Sequence, residues 1–148
     1  MQKKGLKIAV GSDHAGFEIK VKLRDYLIVN DCEVVDYGTY SSESTDYPDY
    51  IHPLCRDMKD KAFDFGIILC GSGNGVNMTA NKHTHIRAAL CWIPEIARLA
   101  RLHNDANVLA IPARYVTFET AREMADIFLN TDFEGGRHQI RVSKIAAV

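Results

Sequence analysis

The 148-residue chain carries 18 basic and 19 acidic side chains, a formal charge of -1 that offers no broad field to nucleic acid or to an anionic membrane, so any anion site must be local. A chain of this length buries roughly 70% of its unfolded surface in one ordinary core, which predicts a single domain over 1–148. Its longest strongly apolar stretches, 67–70 and 108–112, are far shorter than the roughly 20 residues that cross a bilayer, and the polar first seven residues do not read as a secretory leader, so a cytoplasmic protein is expected.

Short β-branched runs alternate with longer segments of helical period, the signature of βαβ units around a parallel sheet. A strand is predicted over 6–11, followed by a helix over about 15–29 with Phe17, Ile19, Val21, Leu23, Leu27 and Ile28 as an imperfect apolar face. A second strand covers 33–37, and the polar stretch 38–47 leads to a helix that begins near Pro48, a residue favoured in the first turn, and ends near Lys61. The most apolar strand, 64–70, ends in a glycine-rich turn that opens a helix over about 75–82. The fourth strand is placed at 86–92, with Pro94 starting a helix that runs to about His103, and the fifth at 107–112. The segment 117–130 then carries Phe118, Ala121, Met124, Ala125, Phe128 and Leu129 at helical spacing, before a tail with Gly135, Gly136, Arg137, His138 and Arg141 and a short helix-like end. The expected fold class is α/β, a doubly wound five-stranded parallel sheet without internal linker or repeat.

Cys32, Cys55, Cys70 and Cys91 have no CxxC spacing and no paired histidine pattern, so neither a zinc site nor a redox pair is indicated and no metal is expected. Cys32, Cys55 and Cys91 read as reduced packing residues. In open α/β sheets ligands bind beyond the carboxyl ends of the strands, which selects three loops. Ser12-Asp13-His14-Ala15-Gly16 follows the first strand, Gly71-Ser72-Gly73-Asn74-Gly75 the third, and His103-Asn104-Asp105 leads into the fifth. The glycine turn can present bare N–H groups to an anion at the start of a helix, or can merely let that helix pack closely. Two familiar phosphate motifs fail on spelling: no GxGxxG is complete, and no Gly-Lys-Ser/Thr follows.

Cys70 ends a buried strand beside this turn and the positive end of a helix, where negative charge is favoured; position alone leaves it either a core residue or a base or nucleophile. His52, His83 and His85 lack partner spacing and read as solvated or capping side chains. His14 and His103 lie at the ligand rim, where a histidine can move protons near neutral pH, although His103 also suits a cation at a helix C-terminus. Arg114, Arg137 and Arg141 follow the last strand or lie in the tail, and the spacing of Arg137 and Arg141 puts them on one helical face. Guanidinium forks suit phosphate oxygens, so these three form a candidate phosphate clamp in a chain with no net positive charge.

The words Gly11-Ser12-Asp13-His14-Ala15-Gly16, Thr45-Asp46-Tyr47-Pro48, Cys70-Gly71-Ser72-Gly73-Asn74-Gly75, Ala80-Asn81-Lys82, His103-Asn104-Asp105-Ala106-Asn107-Val108-Leu109 and Glu134-Gly135-Gly136-Arg137-His138 occur in this order over nearly the whole chain. Together they resemble the ribose-5-phosphate isomerase B and galactose-6-phosphate isomerase family. The resemblance implies a Rossmann-like three-layer sandwich, a homodimer or tetramer with shared active sites, and interconversion of an aldose phosphate and a ketose phosphate without metal or other cofactor. It also implies that Cys70 is the enediol-forming base and His103 the ring-opening acid. Asp13, His14, Gly71, Ser72, Gly73, Asn74, Gly75, Asn104, Arg114, Arg137 and Arg141 match substrate-binding positions, and Ser72 is placed to relay a hydroxyl proton.

The chemistry agrees with these residue types, since isomerisation needs ring opening, removal of a weakly acidic proton beside a carbonyl, and stabilisation of an enediolate. Ribose 5-phosphate is the expected substrate, with galactose 6-phosphate or allose 6-phosphate as the alternatives within the family. A non-catalytic phosphate-binding module is the alternative outside it. A response-regulator receiver would need an acceptor aspartate after the third strand, where this chain has Cys70.

Overall fold

A computed structural model describes residues 3–147. In chain order its elements are β1 (Lys7–Ser12), α1 (Phe17–Val29), β2 (Glu33–Asp36), α2 (Pro48–Asp60), β3 (Phe65–Cys70), α3 (Asn74–Ala80), β4 (Ala88–Leu90), α4 (Pro94–Asn104), β5 (Val108–Pro112), α5 (Phe118–Asn130) and α6 (Arg137–Val142). The five strands form one parallel sheet in the order β2-β1-β3-β5-β4. Side chains alternate along the central strands as a pleat requires. Ile8, Val10, Ile67, Leu69, Leu109 and Ile111 enter a core completed by residues such as Leu23 of α1, Ala97 of α4 and Phe128 of α5. Ala9, Ile68, Cys70, Val108 and Ala110 enter a second core with Leu54 and Cys55 of α2 and Val76 of α3. Helices on both faces bury β1, β3 and β5 twice, which is why these strands read as continuous apolar runs. The result is the expected three-layer α/β sandwich.

Two elements differ from expectation. The fourth strand is only three residues long, because the backbone before it is satisfied by side chains. The Arg87 N–H donates to Asn107 Oδ1 at 2.7 Å, and Asn107 Nδ2 donates to the His85 carbonyl at 2.9 Å. On the open side of β4, Asn81 takes the place of a neighbouring strand, donating to the Ala88 carbonyl and accepting from the Ala88 N–H, both at 2.9 Å. In α1, the six apolar residues do not form the buried stripe. Leu23 and Leu27 are buried, Ile28 is exposed, and the third fully buried position is Lys20.

Lys20 is among the largest side chains sealed from solvent in the described residues. Its Nζ reaches Asp36 Oδ1 and the Thr39 carbonyl, each at 2.6 Å, and Arg24 Nη1 meets the second oxygen of Asp36 at 3.2 Å. A buried ammonium is tolerable only with such partners. The group ties α1 to the end of β2 and to the segment that follows it.

The chain changes face where the site lies. After β1 it enters α1 on the first face, whereas after β3 it enters α3 on the second. The two adjacent strands therefore part at their carboxyl ends and leave a crevice, the position at which doubly wound sheets bind ligands. No helix of the described residues is long and apolar enough to cross a membrane.

Candidate active site

Two loops and the end of β5 wall this crevice. In the first loop, Asp13 Oδ1 accepts from the N–H groups of Ala15 at 2.9 Å and Gly16 at 3.1 Å, which fixes the turn into α1. His14 is turned by a backbone contact, since Thr45 N–H donates to its Nδ1 at 3.2 Å. In the neutral ring this leaves the proton on Nε2.

The second loop is held against β5, with the Ala113 N–H donating to the Cys70 carbonyl at 2.9 Å and the Arg114 N–H to the Gly71 carbonyl at 3.0 Å. Gly73 sits at φ 75°, a left-handed conformation that side chains with a Cβ rarely adopt, and a Cβ there would lie 2.4 Å from Leu90 Cδ1 and 3.1 Å from the Pro112 nitrogen. At Gly75 the neighbour is aromatic: a Cβ would fall 2.4 Å from the ring of Tyr47, so this glycine lets the tyrosine lie against the loop.

The crevice encloses about 340 Å³, lined by Asp13, His14, Ala15, Tyr47, Cys70, Gly71, Ser72, Gly75, Arg114 and Tyr115. Seven of the sequence candidates thus converge: Asp13, His14, Cys70, Gly71, Ser72, Gly75 and Arg114. Gly73 and Asn74 belong to the same loop without lining the space, and the Asn74 N–H turns inward to Ser72 Oγ at 3.3 Å. Cys70 is 4% exposed at the floor. Cys55 and Cys91 lie in the two cores, where burial pushes their thiols up to about 12, and burial also raises the Cys32 thiol, so these three are packing groups.

His103, Asn104, Arg137 and Arg141 do not line this space in the single chain. Asn104 borders a larger hollow of about 590 Å³ along the β4 margin, whose walls include Asn81, Ala88 and Ile145 and hold no thiol. Arg137 and Arg141 are exposed on α6, where Arg141 Nη1 donates to the Arg137 carbonyl at 3.0 Å. His103, at the last turn of α4, stacks on His138 of α6 with ring centroids 4.3 Å apart and planes 13° apart. Glu134 Oε2 lies 3.4 Å from His138 Nε2 and 3.9 Å from His103 Nε2. These three groups have the spacing of a metal cluster, with ligand atoms within 4.8 Å of one another. A bound metal lies in the plane of each ligating imidazole. Two stacked, nearly parallel planes do not converge on one such point, so the arrangement as it stands matches a carboxylate facing two imidazoles better than an ion site.

The other histidines require a correction. They read as solvated or capping, but His52 Nδ1 and His83 Nε2 are 2.7 Å apart, and His85 Nε2 is 2.6 Å from the Cys55 carbonyl. Burial, together with His52, His85 and Arg56, holds the His83 imidazole below its ordinary value. These contacts bridge about thirty positions of sequence, beyond the reach of spacing arguments. Sequence reasoning also missed Tyr47 as a lining residue, although it stands immediately before Pro48 at the start of α2. Tyr115 was missed with it, and nothing in its local sequence marks it.

Comparison with known proteins gives a consistent set. The family model described as Ribose/Galactose Isomerase matches residues 8–145. Ribose-5-phosphate isomerase B of Escherichia coli is 45% identical over 142 residues, covering 96% of this chain and 95% of that one. The crystal structure of a ribose 5-phosphate isomerase from Thermotoga maritima superposes with a TM-score of 0.94 at 50% identity, covering 97% and 99% of the two chains. That of Mycoplasma genitalium ribose-5-phosphate isomerase B with bound ribulose-5-phosphate gives 0.91 at 39% identity, covering 98% and 97%.

Proposed function

Since this chain belongs to the ribose/galactose isomerase family, we propose that it interconverts D-ribose 5-phosphate and D-ribulose 5-phosphate, with Cys70 as carbon base and His103 as ring-opening acid. The observation that carries the reading is the convergence of a nearly buried thiol, a glycine loop and Arg114 in one crevice, in a chain similar over almost its full length to isomerases of this substrate.

The reaction begins on the cyclic aldose. His103 gives a proton to the ring oxygen as the bond from C1 to that oxygen breaks, while the proton on the C1 hydroxyl passes to water and the C1 carbonyl forms. The Cys70 thiolate then takes the C2 proton, and the electron pair moves through C1 onto the carbonyl oxygen to give an enediolate. N–H groups of the Gly71 to Gly75 loop face that oxyanion, Ser72 relays the proton between the two oxygens, and the Cys70 thiol returns its proton to C1. Arg114, Arg137 and Arg141 hold the phosphate, so that binding energy remote from the reacting carbons positions them. Asp13, His14 and Asn104 hold the sugar hydroxyls. Thiol, imidazole, hydroxyl and one water move the protons, and no metal is required.

Four of these residues stand outside the crevice of their own chain, which supports a homodimer, or a tetramer built from such dimers, in which His103, Asn104, Arg137 and Arg141 of one copy complete the crevice of the other. The whole chain is read as one isomerase domain of the cytoplasm, its substrate the small sugar phosphate and neither nucleic acid nor membrane. Ketose formation from ribose 5-phosphate, allose 6-phosphate and galactose 6-phosphate, each with and without chelator, tests the proposal. Turnover is expected to be fastest on the pentose, unchanged by chelator and abolished in Cys70→Ala. Preference for a hexose phosphate would move the substrate within the family, and a fully active Cys70→Ala protein would overturn the assignment of the base.

A further inference from the structure

Helix α6 has no buried residue, and on it only His138 and Val142 are even half-buried. The side chain of His138 is 12% exposed against 38% for His103. The loop before α6 is tied to the end of α4 by the Glu134 N–H, which donates to the Leu102 carbonyl at 3.0 Å. His138 is thus a side chain through which α6 rests on α4, and it rests on His103: the rings stack at 4.3 Å, and both Nε2 atoms face one oxygen of Glu134. A partly exposed imidazole at the end of a helix would otherwise be free to turn about two torsions. Here one face is covered by a second ring, and its Nε2 is drawn towards a carboxylate, so its direction is set from outside its own helix.

We infer that His138, with Glu134, is a positioning residue for the ring-opening acid, orienting the imidazole of His103 for proton delivery to the sugar's ring oxygen. The inference rests on the reading of His103 given above. It has a consequence that a merely structural role for His138 lacks, because the two chemical halves of the reaction can be observed separately. Ribose 5-phosphate is a ring and must be opened. Ribulose 5-phosphate, with its 5-hydroxyl esterified, cannot close a furanose on its C2 carbonyl and enters the site already linear. In deuterium oxide, Cys70 removes one C1 hydrogen of ribulose 5-phosphate as a proton, the thiol exchanges with solvent, and the enediolate takes deuterium back at C1. That exchange uses the carbon base and does not use the ring-opening acid.

The test measures both rates at saturating substrate in His138→Phe, which keeps a flat ring for the stack and loses the nitrogen, in Glu134→Gln, and in His103→Asn. Turnover of ribose 5-phosphate is expected to fall roughly tenfold or more in His138→Phe and severalfold in Glu134→Gln, with C1 exchange of ribulose 5-phosphate staying within about twofold of the parent. Loss of both rates in parallel in both variants would show a structural role and overturn the inference, as would parental values for both. If His103→Asn separates the two rates and neither of the other variants does, the positioning role alone is refuted. If His103→Asn itself keeps both rates, the ring-opening assignment falls and the inference falls with it.

Discussion

Gly73 gives the most quantitative test of how the catalytic loop is held, because two glycines with nearly the same backbone angle have opposite surroundings. Gly73 lies at φ 75° with Leu90 and the Pro112 backbone inside the reach of a Cβ, while Gly135 lies at φ 72° with nothing within 4 Å. Replacement by alanine imposes the left-handed penalty of about 1 to 2 kcal/mol at both. At Gly73 the added methyl also overpacks the loop against β5; the leucine end can move, but the proline nitrogen at 3.1 Å is backbone, so a further cost of about 1 to 3 kcal/mol is expected. Gly73→Ala should therefore lose about 2 to 5 kcal/mol and Gly135→Ala no more than about 2 kcal/mol. For a chain of this size 1 kcal/mol corresponds to roughly 3 °C in Tm, so the midpoints should fall by about 6 to 15 °C and at most about 6 °C. Thermal and urea unfolding followed by circular dichroism read these values, and isomerase assays below both midpoints should show a larger loss in kcat for Gly73→Ala. Equal midpoints for the two variants would refute the packing argument, and a parental midpoint for Gly73→Ala would refute the conformational one as well.

Mixing inactive Cys70→Ala protein with inactive His103→Ala protein should restore activity, to about one quarter of the parental value when subunits exchange freely and sites are shared, because half the dimers are hybrids with one intact site. Free exchange, shown by mass spectrometry, with no activity recovered would mean that each site is built from one chain. Arg114→Ala should raise KM for the sugar phosphate by roughly 10- to 150-fold, the equivalent of about 1.5 to 3 kcal/mol for charge-assisted contacts, and steady-state kinetics with inorganic phosphate as competitor measure it. Lys20→Met should cost about 3 kcal/mol in urea unfolding, near the low end for a broken buried pair because Asp36 keeps Arg24. Burial holds the Lys20 ammonium below its ordinary 10.5 despite Asp36, so between the folded and unfolded values the unfolded chain binds more protons and parental stability gains as pH rises through that window; Lys20→Met should lack this gain.

The parallel sheet was legible because β1, β3 and β5 are buried on both faces and so spell apolar runs bounded by glycine and polar turns. The fourth strand was overextended for the same reason: the run 86–92 is apolar enough, but the ladder begins only at Ala88, since the Asn107 side chain takes the Arg87 N–H and the His85 carbonyl before it, and hydropathy does not register an amide side chain imitating a strand. The imperfect apolar face of α1 has a cause that spacing does not show, since the missing apolar residue is Lys20, whose partner Asp36 lies sixteen positions on. For the site, the rule that ligands bind beyond strand ends selected Cys70 and both crevice loops. It gave no hold on His138, whose meaning depends on a ring thirty-five positions earlier.

The pair of hydrogen bonds between Asn81 and Ala88 also bears on how the protein behaves in crowded solution. A parallel sheet ends in margins whose bare N–H and carbonyl groups can template an extended segment from another molecule, the first step towards fibrous aggregation. At β4 the residue that would begin such a ladder already has both groups occupied by a side chain of its own chain. An invading strand must first expel Asn81 and then find register over a strand only three residues long. This margin is thus blunted by one amide placed immediately after α3, a protection against misassembly that draws on no residue lining the crevice.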